Sequence, residues 1–259
     1  MSRWPEDLRA LAERVSRLER DRRVADVLTR LRAIEDELDG FFSPAPGDPV
    51  VRKRRKPLPN GVACFNGMYM RVTDAVGRTM PTFENPGFVE RLDVLFAEFY
   101  FQAFDAARAH AWVSKSWAPL FERKDEKGVL PLQFAIAGMN AHINNDLALA
   151  LVLTWKELGL RPGKDTPEHR DYLKVNDLLE RVEGEVKGPL ADGLIGEIDT
   201  LFGKADDFLA MWSIRKARAD AWARASKMWR NPDEESESLL DRLVGFAGHL
   251  LLGPPRPFR

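Results

Sequence analysis

The chain has 259 residues, is 44% hydrophobic and 31% charged, and carries a formal net charge of −1. That length can bury a sizeable core in one large helical domain or two small ones. The charge balance excludes bulk attraction to nucleic acid or to an anionic membrane, and a single cysteine, Cys64, excludes an intramolecular disulfide and fits a cytoplasmic setting.

Leu8, Leu11, Val15 and Leu18 form an apolar stripe at helical spacing. Val24, Val27, Leu28, Leu31, Ile34 and Leu38 continue it after the charged run Arg20-Asp21-Arg22-Arg23, and Gly40 closes the pair as a helix C-terminus does. The stretch up to Arg20 is charged throughout and lacks the apolar region of a secretory signal. Five prolines and the basic run Arg52-Lys53-Arg54-Arg55-Lys56 make Ser43 to Pro59 an irregular loop, whose basic residues read as solvated surface or as a phosphate contact. A helix is predicted from about Val62 to Val76, with Cys64 as a small buried hydrophobe lacking an activating base. After turn residues Pro81, Asn85, Pro86 and Gly87, a long aromatic helix runs from Phe88 to about Trp112.

Lys124 to Gly128 is polar, and Pro131 suits the first turn of a helix reaching about Leu158. Thr166-Pro167-Glu168 starts another, which Gly184 and Gly188-Pro189 are expected to break. Further helices are predicted at Ala191 to Leu201, Asp206 to Trp229 and Glu237 to Leu252. No segment alternates as a strand does, and none reaches the ~18 uncharged apolar residues of a membrane span. The expected fold is all-α, a single globular domain of about eight to ten helices. Residues 1–42 form an N-terminal helical pair, 43–60 the proline-rich basic loop, and 61–259 the main domain.

One segment departs from this apolar patterning. Gly138-Met139-Asn140-Ala141-His142-Ile143-Asn144-Asn145-Asp146-Leu147 places a histidine, three asparagines and an aspartate inside an otherwise apolar helix. Each such group must find a partner or cost about 1–3 kcal/mol, so the cluster is a hydrogen-bond hub or the wall of a site. His142 and Asp146 are four apart and share a face, with Asn145 beside them. The pair can act as an acid/base couple, ligate a divalent metal, or bond each other structurally. Asn140 and Asn144 form a neighbouring stripe, and Gly138 and Ala141 admit a close approach by a helix or ligand.

This decapeptide resembles the hallmark of a bacterial family classed as a domain of unknown function. Phe65-Asn66-Gly67-Met68-Tyr69 through Thr73, Phe99-Tyr100-Phe101, and Trp212-Ser213-Ile214-Arg215 through Ala221-Trp222 extend the resemblance from about residue 60 to 230. It implies an all-helical bacterial protein and carries over no activity and no catalytic roles.

A metal at His142 needs further ligands, for which Asp74, Asp93, Glu98, His169 and Asp177 are candidates because each interrupts an apolar helix. The Glu-x-x-His spacing of di-iron bundles is absent. Trp212, Arg215, Arg218, Trp222 and Trp229 place guanidinium and indole groups on one helix. Arg215 and Arg218 can clamp a carboxylate or phosphate there, or pair with acidic neighbours. Asn66, Tyr69 and Thr73 make a polar stripe that can line the same pocket. No nucleophile elbow, phosphate loop, dinucleotide fingerprint or paired-cysteine zinc motif is present.

The leading expectation is a cytosolic helical enzyme or enzyme-like protein with a small-molecule pocket on the 138–147 segment. His142 would be the acid/base group or metal ligand, oriented by Asp146, and Asn140, Asn144 and Asn145 would position the ligand. A non-catalytic binder of an apolar or amphipathic small molecule is the alternative, motivated by 15 Phe and 7 Trp. A scaffold docking through its N-terminal helices is the third reading.

Overall fold

The computed structural model describes residues 6–38, 60–192, 214–231 and 236–253. Among these residues the chain is all-α, with no strand. In chain order the helices are α1 (Glu6–Ser16), α2 (Val24–Glu37), α3 (Gly61–Thr79), α4 (Pro86–Arg108), α5 (Ala118–Glu122), α6 (Pro131–Ala141), α7 (Leu147–Leu158), α8 (Pro167–Asp192), α9 (Ile214–Arg230) and α10 (Ser236–Leu251). The basic run 52–56 and most of the helix expected at Ala191 to Leu201 lie outside the described residues. No described helix is long and apolar enough to cross a membrane.

The most apolar helix sits innermost. Every residue of α7 from Leu147 to Trp155 is buried, as expected for a helix with no polar face to give to water. α4 and α9 pack against it and α1 touches it, sending Leu11, Phe88, Leu95 and Trp222 into a shared core. A second core lies where α3 packs between α2 and α6, built from Leu31, Phe65, Tyr100, Trp117 and Phe134. Gly138 makes the α3–α6 approach close, since a Cβ there would lie 2.4 Å from the Phe65 ring. α7 ends at Gly159, whose φ of 66° is the left-handed geometry that favours glycine at a helix C-terminus.

Polar ties hold the layers in register. Arg91 on α4 bonds Glu157 on α7 at 2.6 Å and the carbonyls of Leu18 and Glu19, which fastens the α1–α2 turn to the core. Asp171 on α8 accepts the backbone N–H groups of Glu84 and Asn85 at 2.9 and 2.6 Å. The Asn85 side chain in turn caps α4 by accepting from Phe88 N. α10 is held by Asp241, which accepts from the backbone of Lys115 and Ser116.

Three details differ from what the sequence leads one to expect. α4 ends at Arg108, short of the Trp112 expected from the aromatic pattern. α8 continues through Gly184 and Gly188-Pro189 to Asp192; interior glycine weakens a helix by about 1 kcal/mol and proline by about 3 kcal/mol, and neither has to end it. The helix expected from Pro131 to Leu158 is not uniform either, because His142–Asp146 is a π-helical turn between α6 and α7.

Candidate functional site

The π-turn carries the polar cluster. Leu147 N donates to the carbonyl of His142, a five-residue step, and such widened turns are rare and concentrate at functional sites. Asp146 is the hub of the turn. Its Oδ2 accepts from Trp117 Nε1 at 2.9 Å and faces His142 Nδ1 at 3.1 Å, while its Oδ1 accepts from Asn145 Nδ2 at 2.9 Å. A carboxylate receiving these contacts makes Nδ1 the protonated nitrogen of His142 and leaves Nε2 as a lone-pair acceptor.

The imidazole is enclosed by aromatic rings. Phe96 of α4 stacks on it at 3.5 Å between centroids with 4° between planes, and Tyr69 of α3 meets it edge-on at 4.7 Å. Burial pushes the His142 pKa below its usual 6.5, and the bond and charge of Asp146 only partly oppose this. His142 is therefore neutral at neutral pH, with Nε2 available as a base.

Beside it lies a cavity of about 80 Å³, lined chiefly by apolar side chains, with Tyr69, Asp93, His142, Tyr172 and Arg218 as its polar or charged members. This volume exceeds the ~10–15 Å³ that one water requires. Two of those five carry a buried atom with no hydrogen-bond partner among the described residues, His142 Nε2 and Asp93 Oδ2, while the Tyr69 hydroxyl faces Thr73 one turn on. Asp93 is pushed up to about 7, first by burial and then by the nearby charge of Glu90. Tyr69 is raised well above 10 by burial and by the charge of Asp93, with Thr73 offsetting part of the shift. At neutral pH the cavity thus offers a basic nitrogen, a carboxyl near half-protonation and a phenol that keeps its proton.

The remaining sequence candidates separate into other roles. Asn140 donates to Val244 O at 2.9 Å and accepts from Asn144 at 3.0 Å, tying α6 to α10. Asn145 orients Asp146 and leaves its own Oδ1 without a partner among the described residues. Asn66 does not join the Tyr69 side of the stripe in the cavity. Its amide donates to Glu35 Oε2 and Leu31 O on α2 and accepts from Tyr100 OH, a fully bonded link between helices. Arg215 pairs with Asp177 at 2.8 Å on an exposed face, and Arg218 turns inward to line the cavity. Trp212 lies outside the described residues.

Of the candidate additional metal ligands, Asp93 alone lines the cavity. Asp74 pairs with Arg78, Glu98 accepts from Gln102, Asp177 holds Arg215, and His169 packs against Trp222. Among the described residues no three His, Cys, Asp or Glu side chains group closely enough to hold a metal ion.

Trp117 is not visible as a site residue from sequence. It precedes the short helix α5, which periodicity does not reveal, and its indole contacts Asp146 across 29 positions of chain. Its one local signal is an aromatic flanked by Ser116 and Pro119 in a stretch without helical pattern.

Among protein families, a model described as a family of unknown function (DUF5995) matches residues 24–254. No curated protein and no solved structure matches the chain.

Proposed function

The chain belongs to the DUF5995 family, whose function is unknown, and from its site we propose a helical enzyme-like protein that carries out acid/base chemistry on a small molecule. The observation that supports this is convergence: His142 Nε2 and Asp93 Oδ2, buried and unpartnered among the described residues, and the Tyr69 hydroxyl belong to residues lining one apolar cavity. Each such atom costs about 1–3 kcal/mol when left bare, so a polar group that the chain does not supply, an ordered water or a ligand, is expected beside them.

In this reading Asp146, steadied by Trp117 and Asn145, fixes the ring and tautomer of His142 and supports the positive charge that forms when Nε2 takes a proton. Asp93, pushed up to about 7 by burial, is matched to donate or accept a proton near neutral pH. Tyr69 supplies a hydrogen-bond donor that stays protonated. The apolar walls exclude water and strengthen each of these contacts.

The test is a small-molecule library screened for compounds that raise the melting temperature, each hit then followed by NMR for conversion. Wild type should bind and convert at least one hit, and His142→Gln should bind that compound without converting it. Hits that stabilise both proteins equally and emerge unchanged would refute catalysis. They would instead favour a binding protein for an apolar small molecule, a reading supported by the aromatic and aliphatic walls of the same cavity.

A further inference from the structure

Among the described residues, Arg218 is the one cationic side chain in the cavity wall, and nothing in the acid/base chemistry uses it. It projects from α9 and is only 5% exposed. Nε donates to Asn176 Oδ1 at 2.8 Å and Nη2 to the carbonyl of Tyr172 at 2.8 Å. The guanidinium carbon lies 4.2 Å from the centroid of the Tyr172 ring, and the Tyr172 hydroxyl donates back to Arg218 O at 2.6 Å. The side chain is thus held by two hydrogen bonds and, on one face, by the Tyr172 ring.

Every one of these partners is neutral. Among the described residues no carboxylate pairs with Arg218, and Nη1 makes no hydrogen bond. Burial lowers its pKa from the ordinary arginine value, with only the Tyr172 hydroxyl acting the other way, yet a guanidinium does not give up its proton in a protein. A fixed, buried positive charge without a counter-ion is costly, and proteins keep charges inside when they are paired. The missing partner is an anion, and the face left free for it belongs to a side chain of the cavity wall.

We propose that Arg218 is the anion subsite of this cavity and that the ligand is a small carboxylic acid with an apolar body, its carboxylate on the guanidinium and its body along the apolar walls. The planar fork with a free Nη1 suits a planar carboxylate. The cavity wall holds one cation among the described residues, which matches a single negative charge. A phosphate dianion would bring excess charge into a cavity that also holds Asp93. For the substrate's other end the inference rests on the acid/base reading, since it places the reacting part beside His142, Tyr69 and Asp93. The anion subsite itself does not require that reading.

The test uses a carboxylate series from butanoate to decanoate plus benzoate, the matching alcohols, and inorganic phosphate, with binding read by calorimetry and by melting temperature. Wild type should bind at least one carboxylate about ten or more times more tightly than its alcohol, and should show no comparable affinity for phosphate. Arg218→Gln should erase that preference, and Arg218→Lys should retain part of it. If Arg218→Gln does not fold, the wild-type preference for carboxylate over alcohol and the Arg218→Lys result decide the matter.

No carboxylate binding to wild type, equal binding of acids and alcohols, or a full preference surviving in Arg218→Gln would each overturn the proposal. In His142→Gln the carboxylate should still bind, within about twofold of wild type. If it does while the library screen yields no converted compound, the acid/base reading fails and the anion subsite stands. If instead His142→Gln alone abolishes binding, the anion does not sit on Arg218.

Discussion

Asp93→Asn offers a quantitative test of the cavity's electrostatics that needs no substrate. The Asp93 carboxyl is buried, leaves Oδ2 unpartnered among the described residues and is pushed up to about 7 from 3.8. At 1.36 kcal/mol per pH unit of displacement, that rise corresponds to about 4 kcal/mol. The sign follows from which state holds the proton. Between pH 3.8 and 7 the folded protein keeps it and the unfolded chain has lost it, so this contribution to stability is full below 3.8 and lost as pH rises through 7. At pH 8 the folded protein therefore carries a buried carboxylate that opposes folding.

The amide introduced by Asp93→Asn has nearly the same shape as the carboxyl and cannot ionise. Urea unfolding of both proteins from pH 5 to 8 should show the variant gaining on wild type by about 1.4 kcal/mol per pH unit up to pH 7. The gain should level off above that, at a few kcal/mol in favour of the variant. His142 contributes an opposite slope below 6.5, but it is common to both proteins and cancels in their difference. Parallel pH profiles, or a variant less stable than wild type at pH 8, would refute the placement of a bare carboxyl in the cavity.

Other substitutions probe the frame around the site. Gly138→Ala drives a methyl group into the Phe65 ring and should cost about 1–3 kcal/mol in urea unfolding through overpacking; no loss would mean that α3 and α6 do not approach as described. Asp146→Asn should fold with a loss of about 1–2 kcal/mol, because the unpartnered Oδ1 of Asn145 can turn to accept from the new amide. Its His142 should titrate lower than in wild type, since the charge that favours protonation is gone; an unchanged titration in histidine NMR would contradict the coupling. Trp117→Phe removes one donor from the Asp146 carboxylate while keeping an aromatic ring, and should lower stability by about 1–2 kcal/mol, read as an earlier denaturant midpoint.

The helices are legible wherever apolar residues recur at helical spacing over a long stretch. Leu8 to Leu18, Phe88 onward and Leu147 to Leu151 all mark helices that the structure forms. Periodicity cannot reveal a turn that is one residue too wide, so the π-turn at His142–Asp146 stays hidden although the polar cluster marks its position. Nor can it distinguish the two apolar sides of α10. Val244 is buried there, whereas Leu239, Leu243, Phe246 and Leu250 are exposed.

Local patterning locates the His142–Asp146 couple because both residues lie within one turn of helix. It cannot assign Asn66 and Tyr69, three apart on α3, to different neighbours, since what each meets is set by α2 and α4. Trp117 and Arg218 reach the site from the start of α5 and from α9 through tertiary contacts that leave no spacing signal. Arg215 and Arg218 are equivalent in sequence. Three residues of helix turn one to solvent and the other inward, and that decides which has an exposed acidic partner.

If His142 is a neutral base at the wall of an apolar cavity, its ring carries one proton, on Nδ1, and Nε2 is bare. Nitrogen-resolved NMR of labelled histidine, assigned with His142→Gln and followed from pH 5 to 8, measures this directly. A protonated Nδ1, an unprotonated Nε2 at pH 7 and a midpoint below 6.5 are expected. A His142 that carries both protons at pH 7, or carries its single proton on Nε2, would contradict this.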